Sequence, residues 1–347
     1  MIDIGSIYPL YDKDIVCDAS PVTDNSEHYY YAMCREILLD IAIHNADSNC
    51  CVLVPEYTCS TVTEPFFQEK WEVVTYRINK KLRIDTLDFS EKSKQYRPAI
   101  VIVHPFYGQD LDEEEINCIK EAHRQGSKLV MDITQCLYTH QHFDFATYYV
   151  TSLYKWYPMV DGAMLVTSED FASDKEESTN YVNRQKEAMY LRGCYFISGS
   201  NYMKDISRRI NKEAIAMNHT GLVPHTMSEN SRRLYNCVDS ADASARRMQN
   251  SMYLHQNIHF SEKIQQVIEH IDNAPIYYPV YCYDQLLVQK ALAAQQIYAP
   301  ILWPIDPNIE ISEEARWIYT HLLAMPIDQR YTPQDMQRIT KILNTIL

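Results

Sequence analysis

Short apolar runs alternate, through the first half of the chain, with longer stretches in which apolar residues return about every three or four positions. Cys50-Cys51-Val52-Leu53-Val54, closed by Pro55, is apolar throughout, as expected of a strand covered on both faces. Trp71 to Tyr76, Ala99 to Val103, Leu129 to Met131 after Lys128, Tyr148 to Ser152, and Ala163 to Val166 read as further strands. Between them, Met33, Ile37, Leu38, Ile41 and Ala42 recur at helical spacing and predict a helix from Glu27 to about Asn45. Thr58 opens a second helix through Phe67, and Asp112 to Arg124 an acid-started third, with Gly126 at its C-terminal cap. Strands separated by helices in this rhythm predict an α/β protein, a three-layer αβα sandwich on a mostly parallel sheet.

The second half is less regular. Residues 169 to 222 have a helical period, and Met227 to Leu254 reads as one long helix. A strand near Ile276 to Tyr281 is followed by helices at about 284–296, 312–324 and 333–346. Pro9, Pro21 and Asp24-Asn25-Ser26 mark turns in an irregular lead-in, residues 1–25. A large domain over 26–225 and a smaller C-terminal α+β domain over 226–347 follow, and no internal repeat interrupts them.

Composition narrows the possible partners. The chain has 347 residues, 46% of them hydrophobic, enough for a sizeable core. A formal charge of −14 would repel nucleic acid and anionic membranes, so neither is expected as a partner. The ten cysteines include no CxxC pair and no zinc-ligand spacing, which predicts reduced thiols in a cytoplasmic protein without a metal. The first residues lack the pattern of a signal peptide, and no apolar run approaches the roughly eighteen residues of a membrane span.

The chemistry gathers between Leu129 and Val166. Asp132 closes one buried strand, and Lys155 lies just beyond the next. A pyridoxal phosphate enzyme needs a lysine to hold the aldehyde as a Schiff base and a carboxylate to keep the ring nitrogen protonated, so that the ring can accept electrons. Ser152, three residues before Lys155, offers a hydroxyl for the phosphate. Each residue alone is as simply read as a capped strand end or a surface lysine; only their combination favours the cofactor. His219 and His225 read as surface or packing histidines rather than ligands, while His104, ending a buried strand, reads as a satisfied core residue or a weaker pocket candidate.

Asp132-Ile133-Thr134-Gln135 resembles the Asp-x-x-Gln of the DegT-type aminotransferases, fold-type I pyridoxal phosphate enzymes that mostly act on nucleotide-linked keto sugars. Val54 to Thr58 is similar to the family's strand-to-helix entry, Val103 to Gln109 to its central strand end, and Met227-Ser228-Glu229 to the start of its long C-terminal helix. Tyr298 to Pro304 resembles a substrate-domain strand, and the likeness spans residues 28 to 303.

The resemblance implies Lys155 and Asp132 as catalytic residues, with Gln135 beside the cofactor's phenolic oxygen and Ser152 on its phosphate. It implies further cofactor contacts from the helix turn at Cys34-Arg35, from Cys59 and from Tyr107. It also implies an amino donor, a keto acceptor and a homodimer. The chain departs from the family in three places. Bulky or charged residues stand at Cys34-Arg35-Glu36 where small ones are usual, Cys59 where many relatives place a stacking aromatic, and Pro224-His225-Thr226 where an asparagine often precedes Met-Ser-Glu. The serine-to-lysine spacing is also shorter. A lyase, decarboxylase or dehydratase using the same cofactor, or a non-catalytic relative, remains an alternative at this level.

Overall fold

The computed structural model describes residues 3–15, 19–25, 27–46, 49–172, 174–217 and 222–346. His219 and the turn position Ser26 lie outside the described residues. The first half of the chain forms α1 (Asp12–Ile15), β1 (His28–Tyr31), α2 (Cys34–His44), β2 (Cys51–Pro55), α3 (Ser60–Gln68), β3 (Glu72–Tyr76) and α4 (Thr86–Tyr96). Then come β4 (Ile100–Val103), α5 (Glu113–Arg124), β5 (Lys128–Asp132), β6 (Tyr148–Ser152), β7 (Ala163–Val166), α6 (Thr179–Ser198) and α7 (Asn201–Met217). The remainder is α8 (Glu229–Asn236), α9 (Ser240–Asn257), β8 (Ile264–Gln266), β9 (Tyr277–Cys282), α10 (Gln285–Ala294), α11 (Glu313–His321), β10 (Leu322–Pro326) and α12 (Pro333–Thr345).

Two units share these elements, and neither is continuous in sequence. The first comprises Met1–Gly5, Asn45–Tyr148 and Ser240–Leu347. In it β3, β2, β4 and β5 lie side by side, all parallel. Every residue of β2 and β4 is buried, which accounts for their unbroken apolar sequence. Asp112 and Glu115 form a reciprocal capping box that starts α5. A second sheet, β10-β9-β8, is antiparallel, with α12 packed on α9. Gly108 has φ +79°, and a Cβ there would stand 2.4 Å from the carbonyl oxygen of Asn273, so no larger residue fits this close approach.

The second unit comprises Ser6–His44 and Tyr149–Asp239. Here β7 pairs antiparallel with β1 on one side and with β6 on the other, and α2 lies against β7. Helices α6 and α7 pack together. Within α6, a Cβ on Gly193 would come within 2.3 Å of the Leu10 carbonyl oxygen, so the glycine lets the lead-in pass against the helix.

The α/β class agrees with the sequence; several elements do not. The helix expected from Glu27 starts only at Cys34, because His28-Tyr29-Tyr30-Tyr31 pairs with β7 as a strand, a state that suits tyrosine. The single helix over 227–254 is two, α8 and α9, since the N–H groups of Cys237 and Val238 turn back to the carbonyls of Leu234 and Tyr235. The helix expected to run to 324 stops at His321, where the fully buried Leu322–Pro326 pairs with β9 despite the helical propensity of leucine, alanine and methionine. Tyr298 to Pro304 forms no strand. Strand β8 and helix α4 carry no sequence signal strong enough to have been expected.

Candidate active site

In the first unit the parallel register brings three strand ends together. Val101 of β4 pairs with both Leu53 of β2 and Leu129 of β5, so the residues after β2, His104 after β4 and Asp132 closing β5 emerge at one edge. Ligands collect at such carboxyl ends in α/β sheets. Asp132 is buried, and its Oδ1 accepts the Thr134 N–H at 3.0 Å, capping a single 3-10 turn over Ile133–Gln135. Its Oδ2 faces Nδ1 of His104 at 3.4 Å. The other ring nitrogen of His104, Nε2, stands 2.9 Å from the Thr58 hydroxyl.

Gln135 and Tyr107 belong to the same cluster. The Tyr107 N–H donates to Oε1 of Gln135 at 3.2 Å, and Tyr107 itself takes a left-handed backbone, φ 49°, with its ring fully buried. Burial drives the hydroxyls of Tyr57 and Tyr107 well above the usual tyrosine range, so both are neutral phenols. Cys59 is the N-cap residue of α3 and its Sγ accepts the Thr61 hydroxyl at 3.0 Å. Beside this turn, the rings of Tyr57 and Phe106 have centroids 5.7 Å apart.

The second unit holds Ser152, Lys155, Cys34 and Arg35. Ser152 of β6 is opposite Ala163 of β7, which is opposite Tyr31 of β1, so the three share one row. The first turn of α2 starts just beyond Tyr31, at the same end of this sheet as Ser152 and two strands away, roughly 10 Å. A helix start adds a partial positive charge to that edge. Ser152 is buried, and Lys155 ends a short 3-10 turn over Leu153–Lys155 with its side chain exposed. The turn is anchored by the fully buried Trp156, whose carbonyl accepts the Tyr8 hydroxyl at 2.8 Å.

Two features of this unit have no counterpart in sequence patterning. Glu36, buried in the first turn of α2, accepts both the backbone N–H and Nδ1 of His225, at 3.1 and 3.2 Å. That contact holds the His225 imidazole above its usual pKa. Beside it opens a cavity of about 900 Å³ lined by Arg35, Glu36, Tyr181, Arg184, Glu213 and His225 among others. Among the described residues no group of three or more His, Cys, Asp or Glu side chains could hold a metal ion, and no helix is long and apolar enough to cross a membrane.

No protein-family model matches the chain, and no curated protein matches it in sequence. Solved structures do. The aminotransferase PseC of Helicobacter pylori, involved in pseudoaminic acid biosynthesis, superposes with a TM-score of 0.69 at 10% identity over 99% of both chains. The sugar aminotransferase CalS13 of Micromonospora echinospora gives 0.68 at 12% identity, covering 99% of this chain and 100% of its own. A DegT DnrJ EryC1 StrS aminotransferase of Brucella abortus gives 0.63 at 13% identity, covering 92% and 85%. At 10 to 13% identity the likeness lies in the backbone path: the chain has the fold of the DegT-type sugar aminotransferases.

Proposed function

We propose that the chain is a pyridoxal phosphate-dependent aminotransferase that passes an amino group from a donor to a keto substrate, a nucleotide-linked keto sugar, as a cytoplasmic homodimer. The observation that carries the reading is the buried carboxylate of Asp132 at the end of β5, with one oxygen held by the Thr134 N–H and the other facing His104. Such a carboxylate is an acceptor suited to a protonated ring nitrogen. Gln135 adds to the fit. Its carbonyl is taken by the Tyr107 N–H, and its amide N–H groups are donors suited to a ligand's phenolic oxygen. The substrate class is supported by the similar fold of DesI, whose structure was determined with its TDP-sugar product.

When bound, pyridoxal phosphate supplies an aldehyde for the amine and a ring that accepts electrons. Asp132 and Gln135 would hold the ring, with Cys59 and Tyr107 beside it, and Ser152 with the Cys34-Arg35 turn would hold the phosphate. Lys155 would hold the aldehyde, and its Nζ, once the donor amine takes its place, would be the base that takes and returns the substrate proton. His104 stands with Nδ1 beside the Asp132 carboxylate and would help keep it in place against the ring.

Adding pyridoxal phosphate to the purified protein, trapping with borohydride and mapping the labelled peptide tests the proposal. The label is expected on Lys155, and Lys155→Ala should abolish it. Absence of a label, or a label on another lysine, would sink the assignment and favour a non-catalytic protein.

A further inference from the structure

We propose that Tyr319, on α11, is a positioning residue for Asp132: it fixes the turn that supplies Thr58, and through Thr58 the ring of His104. The inference rests on the reading of Asp132 as the cofactor's acid. It concerns a residue far away in sequence, within the same unit.

The Tyr319 oxygen accepts the Thr58 N–H at 2.9 Å, and its own proton is directed at the carbonyls of Glu56, at 3.0 Å, and Thr58, at 2.8 Å. One phenol thus pins three backbone groups of the turn between β2 and α3. A second link reinforces it. Ser312, the N-cap of α11, donates its hydroxyl and its N–H to the buried carboxylate of Glu56, at 2.8 and 2.6 Å. Helix α11 is therefore clamped to this turn at its N-cap and again near its end.

The pinned turn delivers the Thr58 hydroxyl, fully buried, to Nε2 of His104. Because Nδ1 faces the Asp132 carboxylate, the ring keeps its proton on Nδ1, and Nε2 accepts from Thr58. Without the Thr58 donor, Nε2 would be a buried acceptor lacking its hydrogen bond, and a second tautomer would become competitive. The Tyr319 ring also meets that of Tyr57 edge to face at 4.8 Å. Tyr319→Phe keeps this contact and removes only the hydroxyl, which makes it a clean probe.

The test uses the full chain labelled with 15N-histidine, without added cofactor, the His104 signals being assigned by their loss in His104→Gln. In the unmodified protein, at one fixed pH, the two ring nitrogens should hold widely separated shifts, one protonated and one accepting. In Tyr319→Phe the two shifts should move toward each other as tautomers mix. Identical spectra would reduce Tyr319 to a packing residue. Should Tyr319→Phe not fold, hydrogen exchange in the unmodified chain decides: a Thr58 amide as protected as those of β2 supports the clamp, and one that exchanges like an exposed loop overturns it. Neither readout involves the cofactor, so failed borohydride trapping would remove the proposed function while leaving this result standing.

Discussion

Ser228 donates its hydroxyl to one oxygen of the Asp161 carboxylate and its backbone N–H to the other, at 2.6 and 2.9 Å. Asp161 immediately precedes Gly162 and β7, and Ser228 is the N-cap of α8, so the pair ties the sheet of the second unit to the start of that helix. Burial pushes the carboxyl up to about 6 from 3.8, against the lowering effect of the serine contacts. A raised carboxyl favours the protonated folded state. Its stabilising contribution is complete below the unfolded value and is lost as pH rises through about 6.

Asp161→Asn, which keeps the size and one acceptor oxygen, should remove this dependence. Thermal unfolding between about pH 4 and 7 is expected to show the native protein's advantage over the variant shrinking with pH, by at most about 3 kcal/mol. A constant difference would mean that Asp161 does not titrate in this window.

His225 titrates with the opposite charge. Its raised pKa, owed first to the hydrogen bond with Glu36, means that the contact stabilises the fold fully below about 6.5 and fades as pH rises through the raised folded value. A proton NMR titration of His225 should give a midpoint above the free value, and Glu36→Gln should bring it down. An unchanged midpoint would exclude the pairing.

Glu56 is 2% exposed, and its carboxylate accepts the N–H groups of Ile78 and Ser312 and the Ser312 hydroxyl. Glu56→Ala would leave three polar groups without that partner. A loss of about 3 kcal/mol in urea unfolding is expected, and a loss below about 1 kcal/mol would show that water replaces the carboxylate.

At the candidate site, Asp132→Asn preserves shape while removing the charge. If the proposed function holds, transamination should fall at least about 100-fold with little change in unfolding midpoint. An amino donor alone should convert the bound cofactor to its amine form in the unmodified protein; failure to do so would redirect the reading to a lyase or decarboxylase.

The places of Asp132 and Ser152 at the ends of β5 and β6, and of Lys155 just beyond β6, were legible because the strands themselves were, and strand ends are where α/β sheets present chemistry. Gln135 came with them through the Asp-x-x-Gln resemblance. Thr58 was readable only as a helix start, and its contact with His104 spans 46 residues. Tyr319 looked like any apolar-face residue of a helix, since no local pattern encodes a partner 261 residues away.

By itself the sequence determined the alternation of strands and helices, the burial of β2, β4 and β5, and the capping of α5, because these follow from side-chain periodicity and from contacts within a few residues. Tertiary structure alone decided that His28–Tyr31 and Leu322–Pro326 are strands, that residues 227–254 break into two helices, and that Tyr319 and Ser312 meet the turn after β2. Those outcomes depend on hydrogen-bond partners distant in sequence, whose pairing outweighs the small differences in local propensity that the chain displays on its own.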